Sequence, residues 1–154
     1  MLIYFAGPLF CPAERIFNSD LTKKLEHLGF SVFLPQRDGI DLEKPRYYAL
    51  ANEEKYKTIF ETDRDQILKA DIFLIVLDGR VPDEGACLEL GIAYGHKHLV
   101  NKDKFLIGLH SDWRVFSADF TLNAMILGSL DCLVNQEEEL FSKLEAYKQR
   151  VSDK

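Results

Sequence analysis

Five short apolar runs punctuate this 154-residue chain: "LIYFA" (2–6), "FSVFL" (30–34), "IFLIVL" (72–77), "FLIGL" (105–109) and, more weakly, "LDCLV" (130–134). Runs of about four to eight residues, rich in aromatic and β-branched side chains, suit strands buried on both faces, as in a parallel sheet. Helical patterns fill the gaps. In 13–28, Ala13, Ile16, Phe17, Leu21, Leu25 and Leu28 recur at helical spacing, and Gly29 follows as a stop. Residues 53–70 are charged and amphipathic, 84–97 apolar nearly all round, and 136–150 a charged terminal helix. Strand and helix alternate five times. That alternation predicts an α/β doubly wound fold with parallel strands, in a single domain over 1–154.

Composition narrows the function. A net charge of -6 disfavours a general nucleic-acid-binding role, because phosphate recognition needs a basic surface. Cys11, Cys87 and Cys132 are odd in number and far apart, which reads as a reduced protein without a disulfide framework. No apolar run approaches the ~20 residues needed to span a membrane. The start "MLIYFAGP" lacks the regions of a signal peptide and reads as a first strand. A cytoplasmic protein with no membrane contact is expected. His27, His96, His98 and His110 have no recognised metal spacing, and neither G-x-G-x-x-G, Walker A nor G-x-S-x-G occurs. No metal or cofactor is expected.

In open α/β sheets, ligands bind beyond the carboxyl ends of the strands. After the first run comes "AGPLFCP", where Gly7 and Pro8 shape a tight turn. After the third comes "DGRVPDEGACLE", with acids at Asp78, Asp83, Glu84 and Glu89, and after the fourth come "HSDWR" and "TLNAM". Glu89 stands alone among apolar residues and glycines from Ala86 to Gly95. A helix beginning near Gly85 puts Glu89 in its first turn, where free N–H groups and the dipole favour an ionised carboxylate. It is then either a nucleophile at a crevice rim or a plain N-terminal helix acid. Asp63 and Asp83 are either partners in chemistry through an oxocarbenium-like transition state or simple cap and turn residues. Residues 35–52 are long for a connection, and read as a lid or as a surface excursion with a short helix. As a lid they would let Tyr47 and Tyr48 cover a flat ligand.

Four stretches, in order, resemble the nucleoside 2-deoxyribosyltransferase family. "IYFAGPLF" resembles its opening strand and loop, with the tyrosine at Tyr4 and Gly7 among the substrate-binding residues. "ETDRDQILKADIFLIVLDG" resembles the segment whose aspartate, here Asp63, lines the base site. "DEGACLELGIAYG" resembles D-x-G-x-x-x-E-L-G, with the general acid at Asp83 and the nucleophile at Glu89. "NAM" resembles N-x-M, giving Asn123 and Met125. Ala86 departs from the threonine of many members, and 35–52 matches no pattern of the family.

The resemblance implies a flavodoxin-like five-stranded parallel sheet in homo-oligomers, dimers or hexamers. It implies cleavage of the N-glycosidic bond of 2'-deoxynucleosides without a cofactor, and transfer of the sugar to a free nucleobase. Glu89 would form a deoxyribosyl intermediate while Asp83, with Asp63, protonates the departing base. Tyr4 and Met125 would hold Glu89, and Asn123 of a neighbouring chain would bind the 5'-hydroxyl. A sister group hydrolyses deoxynucleoside 5'-monophosphates and has serine at the places of Asp83 and Asn123. Keeping Asp83 and Asn123 favours the free nucleoside. Hydrolysis and a non-catalytic nucleotide-sensing module are the alternatives.

Overall fold

Alternate side chains of the first strand, β1 (Leu2–Ala6), face opposite helical layers, and this parity organises the molecule. The computed structural model describes residues 1–40, 50–112 and 122–153. After β1 come α1 (Pro12–His27), β2 (Ser31–Phe33), the short α2 (Pro35–Asp38), α3 (Asn52–Lys69), β3 (Ile72–Val76) and α4 (Glu84–Leu99). They are followed by β4 (Phe105–Leu109), α5 (Ala124–Ser129), β5 (Cys132–Val134) and α6 (Glu137–Ser152). The strands pair in the order β2-β1-β3-β4-β5, all parallel. This is a doubly wound α/β sheet, with its order reversing between β1 and β3.

Ile3, Phe5, Ile72, Leu74 and Val76 pack with Leu21 and Leu25 of α1 and with Leu140 and Leu144 of α6. Tyr4, Ala6, Phe73, Ile75 and Leu77 pack on the other face with Ile67 of α3 and with Ala86, Leu90 and Ala93 of α4. Every residue of β3 is buried, which is why its sequence shows no polar alternation. Gly29 ends α1 at φ +81°, donating to Glu26 O at 2.9 Å while Phe30 N–H reaches Leu25 O at 3.3 Å. Glycine meets that left-handed geometry without a Cβ clash.

Two of the expected strands are shorter than their apolar runs. Run 30–34 yields Ser31–Phe33 because Leu34 caps α2 and Pro35 has no N–H to extend the ladder. Run 130–134 yields Cys132–Val134. The long connection does begin with a short helix, α2; Tyr47 and Tyr48 lie outside the described residues. One buried cation had no signal in the sequence. Lys104, 1% exposed, donates through Nζ to Ile67 O at 2.8 Å and to Ala70 O, closing the C-terminal turn of α3. Burial lowers its pKa to about 8, with Asp71 opposing the shift. No helix among the described residues is long and apolar enough to cross a membrane.

Candidate active site

Parity sends the Tyr4 side chain to the α3–α4 face of the sheet, where a stacked aromatic row fixes it. Phe33 of β2 and Phe73 of β3 stand opposite it in register. Their ring centroids lie 5.6 and 5.7 Å from that of Tyr4, with interplanar angles of 17° and 6°. Held this way, the phenol donates to Glu89 Oε1 at 2.6 Å. Burial, then the charges of Glu89 and Asp63, push the phenol far above its ordinary pKa, so Tyr4 remains a hydrogen-bond donor at neutral pH.

Glu89 does not occupy the first turn of its helix. Asp83 is the N-cap of α4, its Oδ1 accepting the Ala86 N–H at 2.8 Å, and Glu89 is the sixth helical residue. The free N–H groups and the positive end of the dipole therefore act on Asp83. The expectation that the helix end favours an ionised Glu89 is corrected on the same ground. Burial raises its pKa to about 7, the Tyr4 hydrogen bond opposes that, and the charges of Asp63 and Asp83 add to it. Asp63, on α3, is raised by burial to about 6, and its carboxyl has no hydrogen-bond partner among the described residues. The neighbouring Asp65 faces outward and pairs with Arg64 at 2.8 Å.

Two cavities meet at these acids. A crevice of about 840 Å³ is lined by Gly7, Phe10, Arg15, Gln36, Asp63, Asp83, Ala86 and Glu89 among others. A second cavity of about 230 Å³, between α3 and α4, shares Ile59, Asp63, Gly85 and Glu89 with it and adds Tyr56, Phe60 and Leu88. At the crevice floor a Cβ on Gly7 would stand 3.1 Å from Val76 Cβ, so a larger residue would displace β1 from β3. Among the described residues, no group of three or more His, Cys, Asp or Glu is arranged to hold a metal ion.

Other expected residues are placed elsewhere. Asp78 ties the loops after β3 and β4 together, accepting from Ser111 N and Oγ at 2.6 Å each and from Asp112 N at 2.9 Å. Asn123 caps α5, its Oδ1 accepting the Met125 N–H at 2.8 Å, and Met125 is 78% exposed. Neither lines either of these two cavities. Of the two residues expected to hold Glu89, only Tyr4 does so within one chain, because α5 presents Met125 to solvent. Trp113, Arg114 and Thr121 lie outside the described residues. Sequence reasoning missed Phe10, Arg15 and Gln36. The usable signal was the place of "PQR" beyond the carboxyl end of β2, beside the start of α1.

A family described as nucleoside 2-deoxyribosyltransferase matches residues 3–142. No curated protein matches the chain. A solved structure of a conserved protein from Enterococcus faecalis V583 is 28% identical, with a TM-score of 0.78 over 97% of this chain and 98% of that one. A 2-deoxyribosyltransferase from Bacillus psychrosaccharolyticus is 23% identical, with a TM-score of 0.72 over 92% and 90%. A CMP N-glycosidase from Clostridium botulinum is 20% identical, with a TM-score of 0.55 over 94% and 99%. The last two likenesses are likenesses of fold.

Glu89 also makes a stability prediction. Its folded pKa lies above its unfolded value, so the wild type loses stability as pH rises from about 4.5 to about 7. Glu89→Gln keeps an acceptor for Tyr4 but removes the buried charge. It is expected to raise stability at pH 8 by about 2 kcal/mol, with the gain vanishing below pH ~5. Thermal unfolding at the two pH values measures this, and an equal effect at both would show that charge is not the cause.

Proposed function

The chain belongs to the nucleoside 2-deoxyribosyltransferase family, and from that premise we propose that it cleaves the N-glycosidic bond of 2'-deoxynucleosides and passes the sugar to a second nucleobase. The observation that carries the proposal is Glu89, a desolvated carboxylate hydrogen-bonded to Tyr4 where the two cavities meet. In its ionised form Glu89 attacks C1' of the sugar. The C1'–N bond breaks, and its electron pair leaves with the base, which takes a proton from Asp63. A ring nitrogen of the incoming base then attacks C1', expelling Glu89 and returning a proton to Asp63. Two inversions give net retention. Asp63 suits the proton-donor role better than Asp83, because Asp63 is half-buried without a partner while Asp83 is engaged as the cap of α4. Asp83 then orients the base or sugar.

The same proposal includes a homo-oligomer. Leu88 and Leu99 on α4 and Met125 and Leu127 on α5 are exposed by 61%, 86%, 78% and 43%. Exposed apolar residues in such number favour a covering partner. A second copy seated there would bring its Asn123 to the neighbour's crevice, which fits an asparagine that lines neither cavity at home. Cytoplasmic residence fits the free Cys11, Cys87 and Cys132.

Incubation with deoxyinosine and thymine should yield thymidine and hypoxanthine. Glu89→Ala should abolish this while keeping the wild-type circular dichroism, and mass spectrometry of the wild type should find a deoxyribosyl adduct on Glu89. Free deoxyribose in place of thymidine assigns hydrolysis; no cleavage of any deoxynucleoside removes the enzymatic reading.

Dependence on pH follows from the two acids. Below about 6 both carboxyls are protonated and Glu89 cannot attack; above about 7 both are ionised and no proton reaches the base. Between the two values the single proton sits mainly on Glu89, the weaker acid, so the reactive form with Glu89 ionised and Asp63 protonated is the minor one-proton form. The profile of kcat/KM should still be bell-shaped with its maximum between, each limb reporting the pair and not one residue. A flat profile across pH 5–9 would count against the pair.

A shared site predicts recovery on mixing. Asn123→Gly keeps a tolerable helix cap, since glycine costs only a few tenths of a kcal/mol there. Unfolded, mixed and reassembled with Glu89→Ala, it should regain activity that neither variant has alone. No recovery would place the whole site within one chain.

A further inference from the structure

Arg15 is a cation in an unfavourable place. It is the fourth residue of α1, at the positive end of that helix, where a basic side chain destabilises. Among the described residues no carboxylate pairs with its guanidinium. The adjacent Glu14 is engaged with the N–H groups of Phe10 and Cys11, at 2.8 and 2.9 Å. Yet Arg15 lines the large crevice. Its counterpart on α2, Arg37, also lines the crevice but is spent on Glu26, Asp38 and Val32 O at 2.7–2.9 Å. A residue that breaks a local rule without compensation points to a functional use.

The wall around Arg15 is pinned. Gln36 donates to Arg15 O at 2.8 Å and accepts from Asn18 at 3.2 Å, while Asn18, 2% exposed, donates to Pro8 O at 2.9 Å. The α3–α4 wall carries Asp63, Asp83 and Glu89. Of the two arginines that line this crevice, Arg15 is the one not engaged by a carboxylate among the described residues, and it shares the crevice with a cluster of carboxylates from α3 and α4. An anion would gain from Arg15 but be repelled by the cluster, whereas a neutral acceptor gains without that opposition.

We propose that Arg15 reads the edge of the nucleobase remote from the sugar and selects bases that carry a carbonyl there. This rests on the nucleoside reading above, in which C1' meets Glu89 and the base extends from it across the crevice. Hypoxanthine and guanine offer O6 with N7, a pair that matches the two-pronged guanidinium; thymine and uracil offer O4. Adenine and cytosine present an amino group at the same edge, donor against donor. A site built to hydrogen-bond one group rejects analogues that lack it, because its own polar group is left unpaired.

The test compares deoxyinosine with deoxyadenosine, and thymidine with deoxycytidine, in wild type, Arg15→Ala and Arg15→Lys. The wild type should favour the oxo member of each pair in kcat/KM. Arg15→Ala should lower that preference by about tenfold or more, the size of one charged hydrogen bond, with the change mainly in KM. Arg15→Lys should restore part of it for thymidine and less for deoxyinosine, since ammonium lacks the fork. Thermal unfolding of Arg15→Ala should show a Tm no lower than wild type, because an uncompensated cation has left a helix N-terminus. An unchanged preference in Arg15→Ala overturns the assignment while leaving glycosidic cleavage intact, as does a selective loss of activity on the 5'-monophosphates. Absence of cleavage with all four nucleosides overturns the functional reading itself, and this inference with it.

Discussion

One hydrogen bond, from the Tyr4 phenol to the Glu89 carboxylate at 2.6 Å, is the interaction on which the site depends. A carboxylate between a sheet and a helix loses its hydration, and without a donor it would be held as the neutral acid. Tyr4 supplies that donor from a strand that cannot shift. Ile3 and Phe5 are buried on the opposite face, so a one-residue slip of β1 would exchange the faces and remove Tyr4 from Glu89. Phe33 and Phe73 fix the ring between two neighbouring strands. The position of the phenol is thus a consequence of how the hydrophobic core is divided.

That division explains what was legible in the sequence. Strands buried on both faces announce themselves as continuous apolar runs, so four helices and five strands were placed to within a few residues. Glu89 was visible as a lone acid in an apolar stretch. Its surroundings were read wrongly, because Asp83 and not Gly85 begins the capping geometry; the shift moves Glu89 beyond the reach of the free N–H groups. The sense of its pKa shift was hidden as well, since burial depends on what packs over the helix and not on the helix alone. Arg15 and Gln36 were missed for a related reason. They join the site only because α1 and α2 are brought against the crevice by packing of elements distant in sequence.

The same geometry sets the chemistry proposed for the site. Asp63 and Glu89 sit where both cavities touch, on helices α3 and α4, which pack on one face of the sheet. Their carboxyls are half-desolvated, which brings both pKa values from the ordinary range into the region of 6 to 7. Two acids titrating together near neutrality can hold one proton between them, and the proposed chemistry proceeds from the form in which that proton sits on Asp63, the minor of the two because Glu89 is the weaker acid. Neither a metal nor a cofactor has a role in these proposed proton movements. Lys104 supports the arrangement from a distance by closing the end of α3, the helix that carries Asp63.

A buried charge lowers the stability of a fold, and such a charge persists only where the rest of the structure over-determines it. Here the surplus comes from a five-stranded parallel sheet with apolar layers on both sides. Misplaced charge is tolerated at two points along one crevice: Glu89 is desolvated, and Arg15 stands at the wrong end of a helix without a counter-ion among the described residues. If each were a random defect, the two would have no reason to line the same cavity. The proposed ligand would account for their joint presence with two demands, an electrophilic carbon for the carboxylate and an uncharged acceptor for the guanidinium. A nucleoside whose base carries a carbonyl meets both demands at once, and the rigidity of the pinned α1–α2 wall would keep them at a constant separation.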